Sequence, residues 1–397
     1  MQQKTFPELG VATSVTGVLE RRNIVTPTAV QAMVLPDAIA GRDVLAKAPT
    51  GSGKTFAFGL AIVQRLDPDA PKPSALILVP TRELAVQVAE ELAVVGRTRG
   101  LRTAAAYGGV SIAAQSKAVG QAAILIATPG RLDDLCRRRL VRLDGIQILV
   151  LDEADRMLDM GFLPQVAAIV KRLPKDRQTM FFSATLDGDV AMIAKSYTRE
   201  PRRHEVITDQ PTVDEAEHRF VKVDSGSKVE ALVRLLKEEP GRSLVFVRTK
   251  RGADRLATKL KDRGLRAVAM HGDMGQPARQ KALARFEAGK VDTLVATDVA
   301  ARGLDVELIT HVINFDPPTD HKDYVHRVGR TARAGQSGIG VTFVQPEQEG
   351  DMSRIASRLQ LADEFKESGM RVAPPQVVYS SKKGRRSLLY RPPRRRV

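Results

Sequence analysis

The chain has a single cysteine in 397 residues, Cys136. That excludes an internal disulfide and fits a reducing cytoplasm. Arg137, Arg138 and Arg139 follow it, a setting that favours the thiolate and gives a reactive thiol as an alternative to an inert one. No apolar run approaches the roughly 20 residues of a membrane span. The opening residues, Met1-Gln2-Gln3-Lys4-Thr5-Phe6-Pro7, lack the apolar core of a secretory signal. Acidic residues are absent after Glu367, while nine Lys and Arg follow it out of a net charge of +16. Seven net positive charges are left for everything before, so the folded part is only moderately basic. A polyanionic partner is implied, and nucleic acid is the commonest one.

What is there has the balance of a globular protein, 43% hydrophobic and 27% charged. The length is too great for one ordinary core and points to two domains. Short apolar runs alternate with helix-like stretches. Val44-Leu45-Ala46, Leu76-Ile77-Leu78-Val79, Ile124-Leu125-Ile126, Ile148-Leu149-Val150-Leu151 and Thr179-Met180-Phe181-Phe182 read as strands buried on both faces. Such alternation means an α/β fold with a parallel sheet and right-handed crossovers. A polar stretch with a proline, Thr208-Asp209-Gln210-Pro211-Thr212, interrupts it and reads as a linker. The alternation restarts with Leu244–Val247, Ala267–Met270, Thr293–Ala296, His311–Asn314 and Val341–Val344. The expected division is a first lobe over 1–207, a linker over 208–214, a second lobe over 215–368 and a basic tail over 369–397. From about Ala373 the Pro, Ser, Lys and Arg content predicts disorder unless bound.

Three stretches carry chemistry. Thr50, Gly51, Ser52, Gly53, Lys54 and Thr55 lie between a strand and a probable helix. Glycines there let backbone N–H groups close around phosphate oxygens at a helix N-terminus. Lys54 would reach the β- and γ-phosphates, and the Thr55 hydroxyl would ligate magnesium. Ala48 stands where the strict phosphate-loop pattern has its first glycine. The buried run ending at Leu151 is tipped by Asp152 and Glu153, at the sheet end where open α/β folds place ligands. Asp152 is then a second metal anchor and Glu153 a base or water-positioning group. Asp155 would bond across to Ser183 or Thr185. In His326–Arg333, arginines three apart would share one helical face. Guanidinium groups delivered across a cleft are worth about 10³–10⁵ in rate in other nucleotide hydrolases.

Together these stretches resemble the DEAD-box RNA helicases of superfamily 2. The resemblance is carried by Asp152-Glu153-Ala154-Asp155 itself, with Pro80–Ala85, Gly108-Gly109, Thr128-Pro129-Gly130-Arg131, Ser183-Ala184-Thr185, Thr297–Asp305 and His326–Arg333. Tyr107–Ile112 and Met157–Phe162 look most like the bacterial RhlE-type branch. The resemblance implies two RecA-like lobes, ATP and Mg2+ as cofactors, and RNA as partner. It implies that Gln31 reads the adenine edge, that Phe6 stacks on the ring, and that Asp305 touches the ribose. Arg330 and Arg333 would be the fingers. Arg82, Gly109, Thr128 and Arg131 of the first lobe, with Thr249, Arg279 and Thr297 of the second, would grip the RNA backbone. Where the family has glycine then an aromatic, this chain has Asn23-Ile24, which loses stacking there and leaves strict adenine preference open.

The expected activity is RNA-stimulated ATP hydrolysis with local unwinding of short duplexes by cleft closure, in the cytoplasm and away from membranes. An ATP-gated RNA clamp and a DNA translocase are the alternatives. Ribosome-assembly or RNA-decay proteins are candidate partners. The basic tail reads as a nonspecific RNA tether with steep salt dependence. Deleting Lys382 to Val397 is expected to raise the RNA concentration for half-maximal ATPase and to spare the maximal rate. An unchanged RNA requirement in a titration would remove the tether.

Overall fold

In the computed structural model, residues 4–49, 51–186, 188–206, 216–301, 309–331 and 338–372 are described. They build two all-parallel sheets, one per lobe. The first holds β1 (Val44–Lys47), β2 (Ala75–Leu78), β3 (Thr103–Ala106), β4 (Ile124–Ala127), β5 (Ile148–Leu151), β6 (Gln178–Ser183) and β7 (Arg202–Glu205), in the order β3-β4-β2-β5-β6-β1-β7. The second holds β8 (Ala216–Lys222), β9 (Ser243–Phe246), β10 (Ala267–Met270), β11 (Thr293–Ala296), β12 (His311–Asn314) and β13 (Gly338–Val344), in the order β10-β11-β9-β12-β13-β8. The expected linker and all of the chain past Val372 lie outside the described residues.

Central strands are short and wholly apolar because helices cover both faces. β2, β4 and β5 are four residues each with every position buried. Each lobe therefore has an apolar cluster on either side of its sheet. Outer strands obey a different rule. β7 is Arg-Arg-His-Glu and mostly exposed, yet it pairs with β1 in register from Val44–Arg202 to Lys47–Glu205. Its backbone bonds and the 2.6 Å Lys47–Glu205 ion pair define it, not burial. β3, β8 and β10 are likewise outer strands; β3 is Thr-Ala-Ala-Ala and β8 alternates, while β10, Ala-Val-Ala-Met, is apolar throughout.

Asp43, at the entrance to β1, fastens this edge. Its carboxylate is 8% exposed. It accepts the Thr179 N–H at 2.7 Å and the Arg199 N–H at 2.7 Å. The Gln178 amide beside it donates to Ala38 and Arg42 carbonyls at 2.9 and 2.7 Å. β6 and the chain entering β7 are thus held in position from the strand that leads to the phosphate loop.

Cys136 is half-buried, and burial pushes its thiol up rather than down. That agrees with the inert reading rather than the reactive one, and Arg137 and Arg138 pair with Asp133 and Asp134 at 2.7 and 2.8 Å. No helix among the described residues is long and apolar enough to cross a membrane. Replacing Asp43 with Ala strands two backbone donors, which is expected to cost about 2–4 kcal/mol. A lowered urea midpoint for the first lobe, followed by far-UV CD, checks this.

Candidate nucleotide and nucleic-acid cleft

β1, β6 and β5 are neighbours, so the turns leaving their carboxyl ends converge on one spot. The turn after β1 is the glycine-rich loop. Gly51 and Gly53 have φ of 82° and 90°, a left-handed region that side chains resist. A Cβ on Gly53 would also lie 2.7 Å from Gln31 Nε2. The helix Lys54–Arg65 starts directly after, with its free N–H groups aimed into the loop. Lys54 is 7% exposed, and its ammonium donates to the Ala48 carbonyl at 2.9 Å. Thr55 occupies the first helical turn. Thr50 lies outside the described residues.

The Gln31 amide braces the loop: Nε2 donates to Gly53 O at 3.0 Å, and Oε1 accepts the Thr28 N–H at 2.9 Å. One donor and one acceptor site remain on the amide for a base edge. Phe6 departs from expectation. Its ring is 2% exposed within the first-lobe core beside Leu9 and Val11, so it has no open face for a purine. Asn23 has φ 59°, which explains a position where glycine is usual, since Asn tolerates this region. Ile24 is partly buried against the same core.

The turn after β5 carries the acids. Asp152 is 3% exposed, and burial pushes its carboxyl up to about 7, against the pull of Lys54 and with the push of Glu153. A buried carboxylate short of positive charge, near a helix that opens with a hydroxyl, fits a hard divalent cation. Burial also works against ionised Glu153, yet Arg156, Lys54 and Arg330 together hold its carboxyl below the usual range. Glu153 itself has φ 51° and ψ 50° and caps the short helix Ala154–Asp159. Asp155 ties that helix to the turn after β6, accepting the Ala184 and Thr185 N–H groups at 3.1 Å each. That is the cross-connection expected of it.

The second lobe closes over this spot. Arg330 is 3% exposed and acts on Glu153 from across the cleft. It does not share a helical face with its neighbours as expected, because the helix His321–Val328 stops two residues earlier. Arg333 and Asp305 lie outside the described residues. Arg327 is a residue that the spacing rule missed. Its guanidinium forks onto Asp298 at 2.6 and 2.7 Å, reaches Asn314 and Asp316, and lies over the Phe246 ring. A buried fork of this kind needs partners distant in sequence, so no local pattern announces it.

The residues expected to grip RNA leave the carboxyl ends of the other strands, β2, β3 and β4 in the first lobe and β9 and β11 in the second. Arg82 spreads over Gly109, where φ is 88° and a Cβ would come 2.3 Å from Arg82 Nη1. Thr128 caps the helix Pro129–Arg137, and Arg131 donates to Gln115 Oε1 and Val110 O at 2.6 and 3.0 Å. Thr249 caps the helix Lys250–Asp262 and accepts the Gly252 N–H at 3.0 Å. Thr297 follows β11 and is 7% exposed. Arg279 differs: its guanidinium is buried and sits 2.9 Å from Glu83, bridging the lobes.

This geometry has counterparts among known proteins. Residues 28–193 match the DEAD/DEAH box helicase family and residues 227–335 the helicase conserved C-terminal domain. The DEAD-box ATP-dependent RNA helicase CshA of Bacillus subtilis is 40% identical over 353 residues, spanning 88% of this chain and 72% of that one. A point variant of S. cerevisiae Dbp5 bound to RNA and ADP BeF3 matches with a TM-score of 0.81 at 31% identity, over 92% of this chain and 98% of that one. The same yeast protein bound to Nup159, Gle1, IP6 and ADP scores 0.61 at 29% identity, over 90% and 93%. A glycine-rich loop, an acid-tipped strand and a second-lobe arginine brought to the seam beside them are thus found in a chain that belongs to the DEAD-box family of ATP-dependent RNA helicases.

Proposed function

We propose that the chain is an RNA-stimulated ATPase that separates short RNA duplexes locally when its two lobes shut. The observation that carries this is the small cavity at the lobe seam that Arg330 of the second lobe lines together with Arg156 of the first, the ion-pair partner of Glu153. The higher similarity to Dbp5 with RNA and ADP BeF3 than to Dbp5 with Nup159, Gle1, IP6 and ADP supports the arrangement of the RNA-bound form. In this reading the division into lobes at 1–207 and 215–368, a linker at 208–214 and a tail from 369 is kept. The CshA relative gives no support to the RhlE-type branch, and the reading stays at the level of the family.

Lys54 and the backbone of Gly51 to Gly53 hold the β- and γ-phosphates. Thr55 and Asp152 would hold a magnesium ion, which when bound neutralises charge across those phosphates. Glu153 orients the attacking water, and Arg330, with Arg333, stabilises charge on the transferred group. Gln31 offers its remaining donor and acceptor to adenine. Asp305 takes the ribose. Phe6 keeps only its place in the core.

Arg82, Gly109, Thr128 and Arg131 with Thr249 and Thr297 form one groove only when the lobes are shut. Contacts to phosphates carry no sequence information, while 2′-hydroxyl contacts select RNA. Arg279 acts there through Glu83, holding the two halves of the groove in register. A strand gripped in a bent shape does not fit a regular duplex. Opening a few base-pair steps, at about 1.4 kcal/mol each by the DNA value, takes several kcal/mol. Tighter binding of the closed state to the bent strand supplies it. Binding in a cytoplasmic setting to ribosome-assembly or RNA-decay proteins remains part of this reading.

Steady-state ATPase without nucleic acid, with single-stranded RNA and with single-stranded DNA tests it. RNA alone is expected to stimulate strongly, and Lys54→Ala to lower the stimulated rate by at least about 100-fold. Equal stimulation by DNA would favour a translocase. Stimulation without displacement of a short RNA strand would favour a clamp.

A further inference from the structure

Glu153 is surrounded by three cations, and two of them have other work. Lys54 belongs to the phosphate loop, and Arg330 comes from the second lobe to the transferred phosphate. The third, Arg156, follows Glu153 by three residues and has no role assigned above. Its guanidinium forms an ion pair and hydrogen bond with Glu153 Oε2. The two side chains are 5% and 7% exposed.

Arg156 lies three residues after Glu153 in the short helix Ala154–Asp159, a spacing that lets the two side chains meet on one face. Glu153 just before it has left-handed backbone angles. Its neighbour Asp155 is fixed to the turn after β6, and the Arg156 N–H donates to Asp155 Oδ1 at 2.9 Å. The backbone is therefore pinned on one side, and the side chain of Arg156 fixes the Glu153 carboxylate on the other. The pair also sits on the lobe seam. Arg156 shares a small cavity with Phe246, Asp298, Asp323, Arg327 and Arg330 of the second lobe. Closure removes water from around the ion pair, and an ion pair is stronger in a lower dielectric.

We propose that Arg156 is a positioning residue that locks the Glu153 carboxylate toward the attacking water when the lobes shut. It rests on the reading of Glu153 as the water-orienting acid. With the lobes apart, the guanidinium faces solvent and the carboxylate turns freely, so hydrolysis waits for closure. With the lobes shut, the carboxylate has one orientation. Arg156 acts only through Glu153.

The test uses the full chain and the variants Arg156→Gln, Arg156→Lys and Glu153→Gln. ATPase is measured at saturating RNA. Affinity for a fluorescent single-stranded RNA is measured with a non-hydrolysable ATP analogue. Arg156→Gln is expected to lower kcat by roughly 10- to 100-fold, the scale of a misplaced catalytic group. The KM for ATP and the RNA affinity with the analogue are expected to stay within about twofold, and Arg156→Lys to recover part of kcat. If kcat and analogue-dependent RNA affinity fall together, Arg156 is a lobe contact and the proposal is overturned. An unchanged kcat in Arg156→Gln overturns it as well. Glu153→Gln separates the two ideas: turnover that survives this change removes the role of Glu153 itself. A silent Glu153→Gln beside an active Arg156→Gln removes only the role of Arg156.

Discussion

Keeping a carboxylate charged out of water is the constraint around which the cleft is arranged. Glu153 is 6% exposed and sits beside a second acid, Asp152. Burial alone would protonate both. Asp152 yields to burial, with its carboxyl pushed up to about 7. Glu153 does not, because cations reach it from the adjacent helix, from the phosphate loop and from the second lobe. Two neighbouring acids thus have different electrostatic settings, and the difference depends partly on the lobes being shut. A chemistry-bearing acid is completed by a residue on another lobe, so closure and chemistry share one set of charges.

The parallel sheets make that sharing possible. All turns that leave the carboxyl ends of the strands lie along one edge of each lobe. The order β3-β4-β2-β5-β6-β1 divides that edge. The β5, β6 and β1 turns bear Asp152, the Ser183–Thr185 turn and the phosphate loop. The β2, β4 and β3 turns bear Arg82, Thr128 and Gly109. The residues expected to hold nucleotide and those expected to grip the strand therefore lie side by side along one sheet edge. Glu83 and Arg279 join the lobes at the strand end, and Glu153 and Arg330 face each other at the nucleotide end.

Expectation and structure part company where partners are distant or edges are exposed. The buried strands were legible because a four-residue apolar run flanked by helices has few alternatives. β3, β7 and β8 were not. Alanine-rich, charged or alternating segments become strands only when a neighbour offers its backbone, as β1 offers it to Arg202–Glu205. Phe6 read as an adenine stack, but its ring is part of the core. Arg279 was expected on the RNA backbone, and the structure adds an ion pair with Glu83 at 2.9 Å that the sequence did not announce. The three-residue spacing of Arg327 and Arg330 read as one helical face, and the helix ends between them.

By itself the sequence determined the fold class, the phosphate loop, the acid-tipped strand and the order of the motifs. These depend on contiguous residues, where local spacing and apolar runs dictate the backbone. It also determined the strong basic bias after Glu367. Only the tertiary structure decided which distant charges meet, Arg327 on Asp298 and Arg279 on Glu83, and that Arg330 comes to the seam beside Arg156. Those pairings are set by how helices and lobes pack against the sheets. A charged side chain in sequence is equally compatible with solvent until packing removes the water around it, and only then does its partner become compulsory.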